Sequence, residues 1–219
     1  MLVVKFKKTN MGFITRTLRK VMAATNNYID PKVSVLIELG DQTSFNDLIW
    51  DENIDKYRIK NILQNYFKEY HTLDLKGEDI VVTDLSEYQP DLFKCDIITN
   101  IGTTEHVELE DGQFNCWKNL NQWLNVGGIM IHELPEVGSW EGHGRYYTTR
   151  DFFKSFENYG YEILELDDHL WDLGNTLWCV MKKVENVPFM DQDTFFSLMH
   201  FDSSVPLAGT IESNNPKHL

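Results

Sequence analysis

Apolar positions along the chain alternate between helical and strand rhythm. Over residues 11–25, Phe13, Ile14, Leu18, Val21 and Met22 recur at helical spacing, with Arg16, Arg19 and Lys20 on the other side. That spacing predicts an amphipathic helix packed ahead of the first strand. Pro31 closes it, and the near-continuous apolar run from Val33 to Leu39 predicts a strand buried on both faces. Helical spacing returns over residues 48–70, with Ile54, Tyr57, Leu63, Tyr66 and Phe67 inward. Two strands follow, EYHTLDL and EDIVVTDL. Counted from Asp74 to the apolar start at Ile80, only the five residues 75–79 separate them, too few for a helical crossover. The second of the pair is therefore short or irregular if parallel, or else antiparallel.

The second half continues the alternation. CDIITNIGTTEHVE reads as a strand entering a small-residue loop. QFNCWKNLNQWLNVGG reads as a helix with Phe114, Trp117, Leu120 and Leu124 inward and Gly127 as its C-terminal cap. GIMIHELP is the next strand. The loop EVGSWEGHGRYY then leads to a helix capped by Thr148, with Asp151 in its first turn and Gly160 at its end. YEILELDDHLW and TLWCVMKKV, joined through DLGN, read as an antiparallel pair. From Asn186 onward, Pro188, Pro206, Pro216 and weak periodicity predict an irregular tail packed on the domain.

Strands alternating with helices predict an α/β fold: a doubly wound, mostly parallel sheet with a terminal antiparallel strand hairpin. The expected divisions are an N-terminal helical extension (1–30), the main domain (31–185) and the tail (186–219). Ligands in such sheets bind beyond the carboxyl ends of the strands. Glu38, Asp74, Asp84, Asn100 and the loop after Pro135 are thus expected to face one cleft.

Composition narrows the ligand. With 42% hydrophobic and 13% aromatic residues among 219, the chain can bury a sizeable core. Thirty-four acids against twenty bases leave a net charge of −14, which disfavours nucleic acid and anionic membrane surfaces as partners and suits a neutral or cationic small molecule. Cys95, Cys116 and Cys179 lie far apart with no CxxC, as expected of reduced, buried thiols. No run approaches the roughly 20 apolar residues of a membrane helix, and the N-terminal segment lacks the features of a secretory signal. A soluble, cytoplasmic protein is expected. His132, Glu136 and His143 match no established metal-ligand spacing, so no metal is expected.

The order of these features resembles the class I S-adenosylmethionine-dependent methyltransferases over roughly residues 33–184. The resemblance rests on VLIELG, HTLDL, VVTDL, FKCDIITNIGTTEHV, the LNVGGIMI junction and the terminal strand hairpin. Within the family, GTTEHV followed by HELPEVGSWEGHGRYYT looks most like enzymes acting on small molecules, including those found with sugar-modifying enzymes. The resemblance implies S-adenosylmethionine as cofactor. It implies that Glu38 serves the methionine ammonium, directly or through water, and that Gly40 lets the backbone approach. Asp41 and Gln42 follow in the same turn, where Gln42 and Ser44 stand in place of the usual glycines. Asp74 would accept from the two ribose hydroxyls, and Asp84, with Leu85 beside it, would meet the adenine. Asn100 and Gly102 would line the methyl end.

For the acceptor, His106, His132 and His143 are the candidate bases, since a hydroxyl acceptor needs one near neutral pKa. Tyr146 is placed with them, and Trp140, Tyr146 and Tyr147 offer stacking surfaces that suit a sugar or a flat ring equally. The thirteen-residue segment EVGSWEGHGRYYT is long for a strand-to-helix link and reads as a mobile lid over the acceptor. Two other classes stay open. A non-catalytic cofactor-binding protein would share the fold, and a nicotinamide-dependent oxidoreductase would share the ribose acid but needs the phosphate turn that this chain lacks.

Overall fold

The computed structural model describes residues 15–40, 63–77, 79–107, 109–140, 142–171 and 174–205. The expected contacts Asp41 and Gln42, and all but the end of the helix predicted over 48–70, lie outside them.

Among the described residues, seven strands form one sheet: β1 (Val35–Leu39), β2 (Glu69–Asp74), β3 (Val81–Val82), β4 (Cys95–Ile101), β5 (Leu124–Pro135), β7 (Tyr161–Trp171) and β8 (Gly174–Lys183). Their order is β3-β2-β1-β4-β5-β8-β7. The first five run parallel, while β8 lies antiparallel between β5 and β7. A separate two-stranded ribbon joins β6 (Tyr146–Tyr147) to β9 (His200–Phe201). The open choice at β3 resolves to the short parallel strand. Leu73 pairs with Val81 and Asp74 with Val82, so Asp74 and Asp84 leave the sheet at the same end.

Alternation along the strands feeds two apolar layers. On one face, Leu36, Ile97, Ile129, Ile131, Trp178 and Val180 pack against Val21 and Ala24 of α1 (Thr15–Tyr28). On the other, Ile37, Ile98, Met130 and Leu134 pack against Trp117 and Leu120 of α2 (Glu110–Trp123). Phe152 and Phe153 of α3 (Arg150–Ser155) and Phe195 of α4 (Gln192–Leu198) complete that layer. Each such fully buried side chain contributes about 1.5–3 kcal/mol. The three cysteines are free and buried, and burial pushes their thiol pKa values up.

Three local readings change. First, α2 stops at Trp123 without a glycine cap. The buried Lys183 Nζ donates to the carbonyls of Asn121 (2.7 Å) and Leu124 (3.2 Å), filling the role assigned to Gly127. Gly127 instead sits within β5 at φ +90°. Second, the N-cap of α3 is Thr149, whose Oγ1 accepts from Phe152 N at 2.9 Å. Third, the segment read as irregular contains α4, with Asp191 capping it through Thr194 N (2.9 Å), and β9.

Candidate active site

The C-terminal ends of β1 to β4 surround a cavity of about 580 Å³. Gly40, at the end of β1, adopts φ +80°, a conformation open to glycine at little cost, and its N–H donates to Leu73 O at 2.7 Å. The chain can therefore turn sharply at the cavity's edge. Asp74 and Leu75 follow β2, and Thr83, Asp84, Leu85 and Ser86 follow β3. Asp84 Oδ1 accepts from Ser86 N (2.9 Å) and Ser86 Oγ (2.7 Å), which fixes that turn. Gly102 and Thr103 follow β4, Thr103 Oγ1 donating back to Leu39 O at 2.8 Å. His106, Val107 and Leu109 close the opposite wall. Two carboxylates stand on neighbouring strand ends, and no lysine or arginine is among the described lining residues.

Above that wall, a 3₁₀ turn (Thr104–His106) meets the loop after β5. Gly144 lies so close that a Cβ there would stand 2.8 Å from Glu105 O, and Arg145 N donates to the same oxygen at 3.3 Å. This approach puts His143 Nε2 3.7 Å from Glu105 Oε1, with His106 Nε2 at 3.8 Å and the two imidazole centroids 4.9 Å apart. The Glu105 side chain is 2% exposed, against 22% for His143 and 49% for His106. The loop itself is tied down. Tyr147 Oη donates to Trp140 O (2.7 Å), Trp140 Nε1 donates to Asn175 O (3.0 Å), and β6 pairs with β9. The glycine content that reads as a lid thus serves turns, at Gly138 (φ +81°) and Gly142 (φ +74°), and the close approach at Gly144.

No family model matches the chain, and no curated protein matches it by sequence. Solved structures do match in shape. The N-methyltransferase NodS from Bradyrhizobium japonicum WM9, in complex with S-adenosyl-L-homocysteine, aligns over 78% of this chain and 87% of its own, with TM-score 0.57 and 11% identity. The 1,6-didemethyltoxoflavin-N1-methyltransferase of Burkholderia thailandensis, with 1,6-didemethyltoxoflavin and S-adenosylhomocysteine bound, aligns over 78% of each chain, with TM-score 0.53 and 12% identity. Magnesium protoporphyrin IX methyltransferase (ChlM) from Synechocystis PCC 6803, with S-adenosylmethionine bound, aligns over 77% of this chain and 78% of its own, with TM-score 0.54 and 9% identity. The chain has the fold of the class I S-adenosylmethionine-dependent methyltransferases.

Within this methyltransferase fold, Gly40, Asp74, Asp84, Leu85, Gly102 and His106 come together around the cavity. Other expected site residues do not line it. Glu38 is buried and turned into the sheet face of β2, where it accepts from Tyr70 Oη and, at 3.4 Å, from Thr72 Oγ1. Asn100 is a buried organiser: its Oδ1 accepts from Thr104 N (3.2 Å) while its Nδ2 donates to Thr104 Oγ1 (2.8 Å).

That amide orientation decides the neighbouring imidazole. Asn100 Nδ2 lies 3.1 Å from His132 Nδ1, so Nδ1 must accept and the proton sits on Nε2. His132 is fully buried and stacked on Trp117 at 5.0 Å, and burial pushes its pKa down to about 3. It is a core histidine and is not among the described residues that line the cavity. Tyr146 is likewise buried, packed on Phe196 and Phe201, and anchors the β6–β9 ribbon.

Sequence reasoning missed Glu105, although TEH places it beside His106. Its meeting with His143, 37 positions beyond His106, depends on the fold. It also missed a buried polar relay on the opposite face. Glu133 accepts from Thr17 Oγ1 (2.7 Å) and Thr176 Oγ1 (3.2 Å), with His169 Nδ1 at 3.0 Å and Lys20 Nζ donating to the far side of that ring. Burial holds Lys20 below the usual lysine range, against the opposing pull of Glu133.

Proposed function

We propose that the protein transfers a methyl group from S-adenosylmethionine to a small-molecule acceptor. The observation that carries this reading is the pair Asp74 and Asp84 on adjacent strand ends of a cavity whose described lining holds no cation. A nicotinamide dinucleotide would share a ribose acid, but its pyrophosphate finds no lysine or arginine among the described lining residues. A cofactor with a ribose, an adenine and a sulfonium in place of phosphates suits the same lining.

In this reading Asp74 accepts from the ribose hydroxyls, Asp84 takes the adenine amino group and Leu85 supplies an apolar contact. Gly40 and Gly102 leave room for close backbone approach. Asp41 and Gln42 are assigned to the cofactor by the sequence resemblance alone. Glu38, committed to Tyr70 and Thr72, acts through the turn or through water. When bound, S-adenosylmethionine supplies an electrophilic methyl group on a leaving neutral thioether. The protein's task is alignment and exclusion of water, which supply about 7–11 kcal/mol in well-oriented reactions. The acceptor, a sugar or another metabolite, enters on the side of His106, His143 and Trp140. The neighbours from Burkholderia and Synechocystis, which act on heterocyclic small molecules by name, support an acceptor of that size.

Calorimetric titration of S-adenosylmethionine, S-adenosylhomocysteine, NAD and NADP into the purified protein tests the reading. The first two are expected to bind and raise the melting temperature, by about 2.7 kcal/mol of stabilisation at 100 times Kd. No heat and no melting shift at millimolar S-adenosylhomocysteine overturns it. Binding without turnover across an acceptor library would leave the non-catalytic alternative.

A further inference from the structure

We propose that Glu105, His106 and His143 form a binding site for one divalent transition-metal ion. The ligand atoms of the three side chains lie within 4.8 Å of one another. Glu105 is buried, and among the described residues neither of its carboxylate oxygens has a hydrogen-bond partner; the same holds for His143 Nε2. The contacts at 3.7 and 3.8 Å lie within ion-pair reach but are too long for hydrogen bonds, so they leave both carboxylate oxygens without hydrogen-bond partners among the described residues. Burying a carboxylate without such partners is costly. A cation between the three groups satisfies all of them at once. Donors about 2.0–2.1 Å from a tetrahedral zinc ion stand about 3.4 Å apart, so the two glutamate–histidine distances need to close by a few tenths of an ångström and the two imidazoles, within 4.8 Å of each other, by no more than about 1.4 Å.

The donor set selects the ion. Two imidazole nitrogens and one carboxylate suit zinc, cobalt, nickel or iron and disfavour magnesium and calcium, which take oxygen ligands. Three protein ligands leave a coordination position open, as in sites that polarise a bound oxygen rather than staple a fold. His106 also lines the cavity, so the three side chains adjoin it. A metal here departs from the sequence expectation because the third ligand, Glu105, and the partner His143 come from different loops. The proposal stands on these three side chains and not on the methyl-transfer reading.

Chelator-treated protein titrated with Zn²⁺ and Co²⁺ is expected to bind one equivalent of each, with Co²⁺ producing the visible absorption of low-coordinate nitrogen–oxygen ligation. Mg²⁺ is expected to give no comparable heat. His106→Ala, at a half-exposed position, and His143→Ala should each weaken Zn²⁺ binding at least tenfold, and the double variant should abolish the Co²⁺ spectrum. Glu105→Gln tests the buried ligand, with circular dichroism confirming its fold. Zinc affinity unchanged in the double variant, or no binding by the parent protein, overturns the site. Titrating S-adenosylhomocysteine into the same metal-free sample separates this outcome from the fate of the cofactor assignment.

Discussion

Asp74 and Asp84 flank the same cavity in different surroundings. Asp74 ends β2 half-buried, whereas Asp84 is exposed and already accepts twice from Ser86. Asp74→Ala is therefore expected to weaken S-adenosylhomocysteine binding by about 1.5–3 kcal/mol, and Asp84→Ala by clearly less. Calorimetry on both variants checks the order; equal losses would put the adenine contact on a par with the ribose contact. His132 makes a different prediction. Its folded pKa, about 3, lies below the unfolded value of 6.5, because burial disfavours the imidazolium. Between those two values the unfolded chain carries a proton that the native state does not. Its contribution to stability is complete above pH 6.5 and falls as pH drops toward 3, at up to about 1.4 kcal/mol per pH unit. His132→Gln, which keeps an acceptor for Asn100, should flatten the slope of melting temperature against pH across that window. An unchanged slope would show that the imidazole is hydrated in the native state.

At the scale of elements, the contact between the 3₁₀ turn and the loop after β5 is set by one glycine. A methyl group at residue 144 would meet a backbone oxygen at 2.8 Å, so one of the two segments must move. Gly144→Ala is expected to cost about 1–3 kcal/mol in thermal or chemical denaturation and to weaken zinc binding by drawing His143 away from Glu105. A variant with native stability and native zinc affinity would show that the loop yields freely. This contact also marks where sequence reading stops. Strand–helix alternation is written in local spacing, and so were β1, β2, β4, β5 and the β7–β8 hairpin. Asp74 and Asp84 were legible because strand direction places them at the cavity, whereas Glu38, one residue before the end of β1, turns away from it. Local spacing does not reveal that Lys183 caps α2 across the sheet, or that Glu105 and His143 converge. Nor did it separate His132, whose face of β5 packs on Trp117, from His106 at the cavity wall and its neighbour His143. The tail's prolines masked α4 because one short helix between them carries too few turns for periodicity to register.

For the whole molecule, the pairing of β6 with β9 joins positions more than fifty residues apart. In the order of synthesis, every described residue lining the cavity is present by Leu109, and the loop that overhangs it by Thr149. The strand that holds this loop arrives only at residues 200–201. A growing chain therefore carries every described residue of the cavity lining, its floor, long before the strand that fastens the rim loop is made. Among the described residues, a chain stopped after Met199 retains Phe195 in its core and loses the ribbon partner together with the Asp202 N–H bond to Arg145 O (2.8 Å). It is expected to bind S-adenosylhomocysteine with near-native affinity while residues 136–149 become the first site of protease cleavage. Cleavage elsewhere first, or lost cofactor affinity, would mean that floor and rim are made as one piece. If they are not, the rim has its own clock, and a late-arriving pair of residues decides when that loop is fastened.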